Sequence, residues 1–202
     1  MALRLYNLPA SNNALKVRFL LAELGLDYER VEVPPPRPRP DWYLEVNPAG
    51  GVPTLDDDGF VLAESNTILR YLAKREQRED LYPSELQAHA FVNRLLDTWS
   101  TLVRPAMFPL ELACGLFGES NDADVEPTLG PAAEALLAVE RVVSENGTMT
   151  GQFTIVDICA APTLFRSAKL ALPLDWSGLP RLAAVRTAVT EHPAFIAADP
   201  VR

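Results

Sequence analysis

Apolar and polar positions change period several times along the chain, and those changes mark its elements. Leu3–Asn7 alternates and reads as a strand. From Ala14 the period lengthens: Val17, Leu20, Leu21 and Leu24 fall at i, i+3, i+4 and i+7, with Lys16 and Glu23 on the other side. This predicts an amphipathic helix that Gly25 ends. Tyr28–Val33 sets Tyr28, Val31 and Val33 against Glu29, Arg30 and Glu32, a second strand. Strand, helix and strand within about 30 residues make a βαβ unit, whose strands pair in parallel. Pro34–Pro40 holds five prolines in seven residues and forces an extended connector. A short helix is expected over Asp41–Val46. Two short strands follow, Val52–Leu55 and Phe60–Leu62, joined by the turn Asp56-Asp57-Asp58-Gly59. A helix then runs from about Glu64, with Ile68, Leu69 and Leu72 on one face.

The first 80 residues thus read as βαβ, hairpin, helix, a thioredoxin-like layout. Beyond them only helical spacing is seen. Val92, Leu95, Leu96, Trp99 and Val103 keep it until Pro105 and Pro109 intervene; Ala132, Leu136, Val139 and Val143 resume it. Ile155–Phe165 is apolar nearly all round, which marks a helix buried on every side with Pro162 inside it. Leu182, Val185 and Val189 mark another helix, and acidic Glu119–Glu126 reads as a solvated loop. The fold expected is α/β plus all-α: an N-terminal four-stranded mixed sheet domain over 1–78 and a C-terminal all-helical domain over 85–202.

The 202 residues are 48% hydrophobic and 22% charged, enough for a substantial core in a folded chain. A net charge of −9 disfavours nucleic acid and anionic membrane surfaces, which need a positive footprint. No apolar run reaches the length of a membrane span. The opening residues lack the regions of a signal peptide, so the cytoplasm is the expected compartment. Cys114 and Cys159 are far apart, and His89 and His192 are isolated. No metal site or dithiol redox centre is expected from such spacing.

The residues able to carry chemistry sit at the joints between elements. Ser11-Asn12-Asn13 lies between the first strand and the first helix, where Ser and Asn are good N-caps. The same place offers free N–H groups and a partial positive charge that would stabilise a thiolate. No cysteine lies there, so a thiolate would arrive with a ligand. Asn47-Pro48-Ala49-Gly50-Gly51-Val52-Pro53-Thr54-Leu55 leads from a turn into a strand opening on Val-Pro. This is either an ordinary junction or, with a cis bond before Pro53, a place where the Val52 amide groups pair with an extended peptide. Glu64-Ser65 stands at a strand-to-helix joint; the pair could read the ammonium and carboxylate of an amino-acid head group, and Ser is also a common cap. Thr154-Ile155-Val156-Asp157 is a capping box that fixes the most buried helix.

Taken in order, Asn-Pro…Val-Pro-Xaa-Leu, Glu-Ser and Thr-Ile-Val-Asp resemble the cytosolic glutathione transferase superfamily, in its bacterial theta-like and nu-like forms. The resemblance runs over nearly the whole length. It implies a glutathione S-transferase that activates the glutathione thiol as thiolate for attack on a small hydrophobic electrophile. It also implies glutathione as co-substrate without a metal, a detoxifying role and a homodimer. Ser11 aligns with the activating serine of theta-like members and Asn13 with an asparagine of nu-like ones. Val52, Pro53, Glu64, Ser65 and Asn12 then belong to the glutathione site, and Asp97 could reach the γ-glutamyl ammonium across a dimer or be a helix-pairing residue. Tyr6 is set aside, because the strand-end position aligns with Asn7. Gly51 and the proline run depart from the family's pattern, leaving Arg37, Arg39 and Trp42 as candidates for the glycyl end. Met107, Phe108, Leu110, Leu112, Leu116 and Phe117 could line the electrophile pocket or serve as core or dimer contacts. Two other readings stand beside the transferase: a glutathione-dependent disulfide or peroxide reductase of the nu-like type, and a non-catalytic interaction module.

Overall fold

The computed structural model describes residues 3–35 and 37–198; Pro36 of the proline run and the terminal residues of both expected domains lie outside these. Strands β1 (Leu3–Asn7), β2 (Tyr28–Glu32), β3 (Thr54–Asp57) and β4 (Phe60–Ala63) form one mixed sheet in the order β2-β1-β3-β4. β1 pairs with β2 in parallel, whereas β3 runs antiparallel to both β1 and β4. Helix α1 (Asn12–Glu23) connects β1 to β2, α2 (Asp41–Val46) lies between β2 and β3, and α3 (Ser65–Arg75) follows β4. The expected mixed sheet is therefore present. β3 begins two residues later than expected, because Val52 and Pro53 belong to the joint before it.

Neighbouring strand residues face opposite sides, which splits this unit into two packed layers. Leu5 and Leu55 are buried on the sheet with Leu20 and Leu21 of α1 and Ile68, Leu69 and Leu72 of α3; α1 and α3 pack together. Tyr6 joins a second cluster with Val33 and Tyr43 of α2, flanked by Val31, Val46 and Val52. Its ring lies 5.7 Å from that of Tyr43 and 6.4 Å from that of Trp42. Tyr6 is thus a packing residue. Gly25, at φ +63, closes α1, with the Leu26 N–H reaching back to the Leu21 carbonyl at 3.0 Å. Lys16 departs from the expected amphipathic pattern: it is buried, and its Nζ lies 3.5 Å from Asn66 Oδ1 in the first turn of α3.

The second compact unit, residues 80–191, is helical. It holds α4 (Leu86–Thr98), α5 (Arg104–Ala113), α6 (Asp122–Glu140), α7 (Ile155–Lys169) and α8 (Pro180–Thr190). A π-helical turn, Trp99–Val103, carries α4 into α5. The prolines do not end the helix: Pro105 sits near the start of α5, where its missing N–H costs nothing, and the helix runs on through Pro109. The acidic stretch expected as loop is irregular over Glu119–Asn121 and helix from Asp122 on. Asn121 caps α6 by accepting from the Ala123 N–H at 3.2 Å, and Asp122 and Asp124 sit in the first turn, where helix ends favour negative charge. Helix α9 (Pro193–Ala197) groups with residues 1–79, and Phe19 of α1 meets Phe195 edge-on at 5.3 Å.

α7 is buried along most of its length, as its pattern predicts. The capping box holds its start: Asp157 accepts from the N–H groups of Met149 at 2.7 Å and Thr154 at 2.8 Å, and from the Thr154 hydroxyl at 3.1 Å. Burial outweighs these bonds and lifts the carboxyl to about 6. A pKa raised in the folded state stabilises below the unfolded value and is lost as pH rises through the folded one. The margin by which the wild type exceeds Asp157→Asn in urea unfolding should therefore shrink between about pH 4 and about pH 6. A constant margin across that window would show that burial does not govern this carboxyl.

Candidate functional site

The strand registers bring three joints to one edge of the sheet. Tyr6 lies opposite Thr54, and Thr54 opposite Ala63. The end of β1, the start of β3 and the end of β4 are therefore neighbours. Each carries a segment singled out in the sequence: Ser11–Asn13 after β1, Val52–Pro53 before β3, and Glu64–Ser65 after β4. Two helices, α1 and α3, present their N-termini at this edge, so several N–H groups there lack intrahelical partners.

Ser11 caps α1. Its Oγ accepts from the Ala14 N–H at 3.3 Å, while its own N–H donates to the Leu8 carbonyl at 2.9 Å. A hydroxyl holds one proton and two lone pairs, so capping leaves the proton for another acceptor. Capping and activation are compatible in the same side chain. Asn13 is exposed, whereas Asn12 is buried, and neither of its amide atoms has a hydrogen-bond partner.

The Val52–Pro53 bond is cis. A polar network that the sequence reading missed fixes its position. Asn47 Nδ2 donates to the Gly51 carbonyl and to Thr54 Oγ1, both at 3.0 Å, and Asn47 Oδ1 accepts from the Ala49 N–H at 3.1 Å. The Tyr43 hydroxyl bonds both Gly51 O and Thr54 Oγ1. Arg39 is buried as well, its guanidinium on the carbonyls of Gly50 and Pro34, and Arg37 also reaches Gly50 O at 3.4 Å. Both arginines thus brace the loop. Gly50 requires its lack of a side chain: it lies at φ +62, and a Cβ would stand 3.2 Å from Arg39 Cγ.

Glu64 adopts φ 68 and ψ 109, a left-handed conformation that costs a non-glycine residue roughly 1–3 kcal/mol. Its carbonyl starts α3 by accepting from the Ile68 N–H at 2.9 Å, and its side chain is exposed beside buried Ser65. Such strain is tolerated where the surroundings dictate it, and it sets a carboxylate next to a helix N-terminus.

Arg18 is the other residue that the sequence reading passed over. It is only 1% exposed. Its Nη1 donates to Asn7 Oδ1 at 2.7 Å, its Nε to the Ala198 carbonyl at 2.9 Å, and its Nη2 lies 3.5 Å from the Pro9 carbonyl. Asn7 Nδ2 in turn donates to the Glu32 carboxylate at 3.0 and 3.1 Å. One guanidinium therefore joins the end of β1, the loop before Ser11 and the final helix. Its signal in the sequence was a charge within the apolar run Val17–Leu21.

Asp97 lies in the second unit, exposed on α4, with its carbonyl accepting from the Thr101 hydroxyl at 2.8 Å. The residues named for an electrophile pocket divide: Met107 and Leu110 are buried, whereas Phe108, Leu112 and Phe117 are exposed. Among the described residues no group of three or more His, Cys, Asp or Glu is placed to hold a metal, and no helix is long and apolar enough to cross a membrane.

Residues 5–80 match the family model for the glutathione S-transferase N-terminal domain. Glutathione S-transferase 3 of Zea mays is 32% identical over 96% of this chain and 91% of its own length. The chain belongs to the glutathione transferase superfamily. Maleylacetoacetate isomerase of Pseudomonas aeruginosa is 30% identical over 98% of this chain and 96% of its own. The glutathione-bound theta class glutathione S-transferase of Xanthomonas axonopodis pv. citri superposes with a TM-score of 0.85 at 26% identity, covering 98% of this chain and 96% of that one. Membership of the superfamily agrees with the four-stranded sheet and the helices that follow it.

Arg18 generates a stability prediction. Arg18→Met leaves buried Asn7 Oδ1 and two carbonyls without their donor, which should lower unfolding free energy by about 3 kcal/mol. Arg18→Lys should recover part of the loss. Urea midpoints check both, and a midpoint unchanged in Arg18→Met would remove Arg18 from the support of the loop.

Proposed function

We propose that this protein is a glutathione S-transferase that holds glutathione along the shared edge of the sheet and attacks a small hydrophobic electrophile with its sulfur. The observation that carries the reading is the convergence of Ser11, Val52 and Glu64-Ser65 at that edge, beside two helix N-termini. The Val52 N–H and C=O pair with the cysteinyl residue, with Pro53 shaping the joint. Glu64 takes the γ-glutamyl ammonium, and Ser65 with the first N–H groups of α3 takes its carboxylate. Ser11 donates its hydroxyl proton to the sulfur, and the first-turn N–H groups of Asn12 and Asn13 add their partial charge. Thiols in such surroundings drop from about 8.5 to roughly 3.5–7.5, which makes thiolate the working form. The thiol proton leaves to solvent, the sulfur forms a bond to carbon, and a leaving group departs with the electrons of the bond it breaks. In this reading the protein works in the cytoplasm as a homodimer, and exposed Asp97 is the candidate for contact with the γ-glutamyl ammonium across it.

Asn13, exposed beside Ser11, supports the reductase as the second reading. There the glutathione thiolate bonds to one atom of a disulfide or peroxide, the S–S or O–O bond breaks, and the other atom leaves with the electron pair as thiolate or alkoxide; Asn13→Ala should then cost more activity than Ser11→Ala. The interaction-module reading requires that glutathione not bind.

Glutathione at a hundred times its dissociation constant should stabilise the fold by about 2.7 kcal/mol, seen as a raised melting temperature. Ser11→Ala should lower kcat by about 10- to 100-fold, the worth of one hydrogen bond to a charged sulfur, with much less effect on glutathione affinity. The acid limb of its pH–rate profile should move upward, because a less stabilised thiolate needs higher pH. Full activity in the variant would remove Ser11 as activator, and no binding at millimolar glutathione would leave the interaction module.

A further inference from the structure

Lys16 stands inside the protein without an opposite charge. It lies in the second turn of α1 and is only 2% exposed. Its Nζ has Asn66 Oδ1 of α3 as its partner at 3.5 Å, longer than a good hydrogen bond. Among the described residues no carboxylate pairs with it. Other cations of the same unit are placed differently: Arg75 of α3 has Asp57 at 2.8 Å, and Arg78 has Glu23 at 3.2 Å. A buried charge without a counter-ion is costly, and the positive ends of two helices raise that cost. One turn earlier on the same face, Asn12 is buried with neither amide atom partnered. This side of α1 is thus short of counterparts at two successive turns. The shortage lies against the first turn of α3, where Asn66 follows Ser65 directly. Glu64, just before Ser65, carries the opposite charge on an exposed side chain. An amino-acid head group holds an ammonium and a carboxylate on one carbon. Glu64 answers the first, and the second answers Lys16.

We infer that Lys16 is a positioning residue for the ligand's α-carboxylate: its buried charge acts through Asn66 and the first turn of α3, and makes this joint select an amino-acid head group over a bare amine. Resting on the glutathione reading above, this names the counter-charge of the γ-glutamyl carboxylate. Ser65 and the first N–H groups of α3 touch that carboxylate, and Lys16 stands behind them. Its charge sits where solvent screens it little, so it acts without contact. The bound carboxylate in turn relieves the cost of burying Lys16. Stability of the unliganded protein is thereby exchanged for affinity.

Three peptides that differ only in the head group test this: glutathione, glutaryl-cysteinylglycine, which lacks the ammonium, and 4-aminobutyryl-cysteinylglycine, which lacks the α-carboxylate. Calorimetry reads their dissociation constants. Lys16→Met should weaken glutathione and the glutaryl peptide about tenfold, and the aminobutyryl peptide far less. Lys16→Gln should behave alike, and Lys16→Arg, which keeps the charge, should recover part of the loss. The unliganded Lys16→Met protein should melt about 2–4 °C higher, since an apolar chain of similar length replaces an uncompensated charge. A lost packing contact cannot combine higher stability with weaker, carboxylate-selective binding. Equal weakening of all three peptides, or of none, overturns the role of Lys16. So does an acid limb of the pH–rate profile that moves upward in Lys16→Met as in Ser11→Ala, which would assign the charge to the sulfur. Carboxylate-selective binding that Lys16→Met abolishes, without transfer to an aryl halide, supports Lys16 and refutes the transferase reading. Transfer with a selectivity unchanged in Lys16→Met does the reverse. A wild type that binds none of the three refutes both.

Discussion

Antiparallel pairing of β3 with β1 sets the whole N-terminal unit. With Tyr6 opposite Thr54, the joint before β3 must lie beside the joint after β1, and the hairpin to β4 returns the chain to the same edge. Three segments remote in sequence become neighbours through backbone hydrogen bonds alone. A slip of one residue would turn Leu55 from the α1–α3 layer toward the Tyr6–Tyr43 layer, exchanging the two cores. Burial of Leu55 on one side and Tyr6 on the other therefore guards the register on which the site depends.

In the loop before β3 the fold spends polar groups inside the protein and matches them with partners. Asn47 and Tyr43 converge on the Gly51 carbonyl, and Arg39 serves the carbonyls of Gly50 and Pro34. Irregular chain cannot satisfy its own carbonyls as a helix or strand does, so side chains must do it. The proline run deepens this need, since prolines supply no N–H groups. Glu64 shows the converse: its backbone is held in an unfavourable conformation by a helix that starts immediately after it.

Much of this architecture was legible in the chain. Periods of two and of 3.6 located the strands and the long helices, because one face of each is buried against a core. α2 was placed to the residue, and the Thr154–Asp157 capping box announced the start of α7. The failures share a cause. Lys16 read as a surface residue because charge ordinarily marks solvent, and Arg18 went unremarked, yet tertiary partners hold both inside. Pro109 read as a stop, although the π-helical turn before α5 and the position of Pro105 let the helix proceed. Residues 122–126 read as loop because acidity was weighed without the cap at Asn121. Of the candidate site, the joints that the sheet brings together were marked by motifs, but the network beneath Val52 was not, since Tyr43 and Asn47 gain meaning only from Gly51 and Thr54 folded against them.

The return of α9 to the first unit makes the helical unit an insertion in topological terms. Chain order gives one unit, then the other, then the first again. A gene fragment ending after α3 would omit Phe195 and Ala198, leaving Phe19 without its ring neighbour and the Arg18 guanidinium short of an acceptor. The sheet unit is thus a discontinuous folding entity, and its completion during synthesis must wait until α9 has emerged.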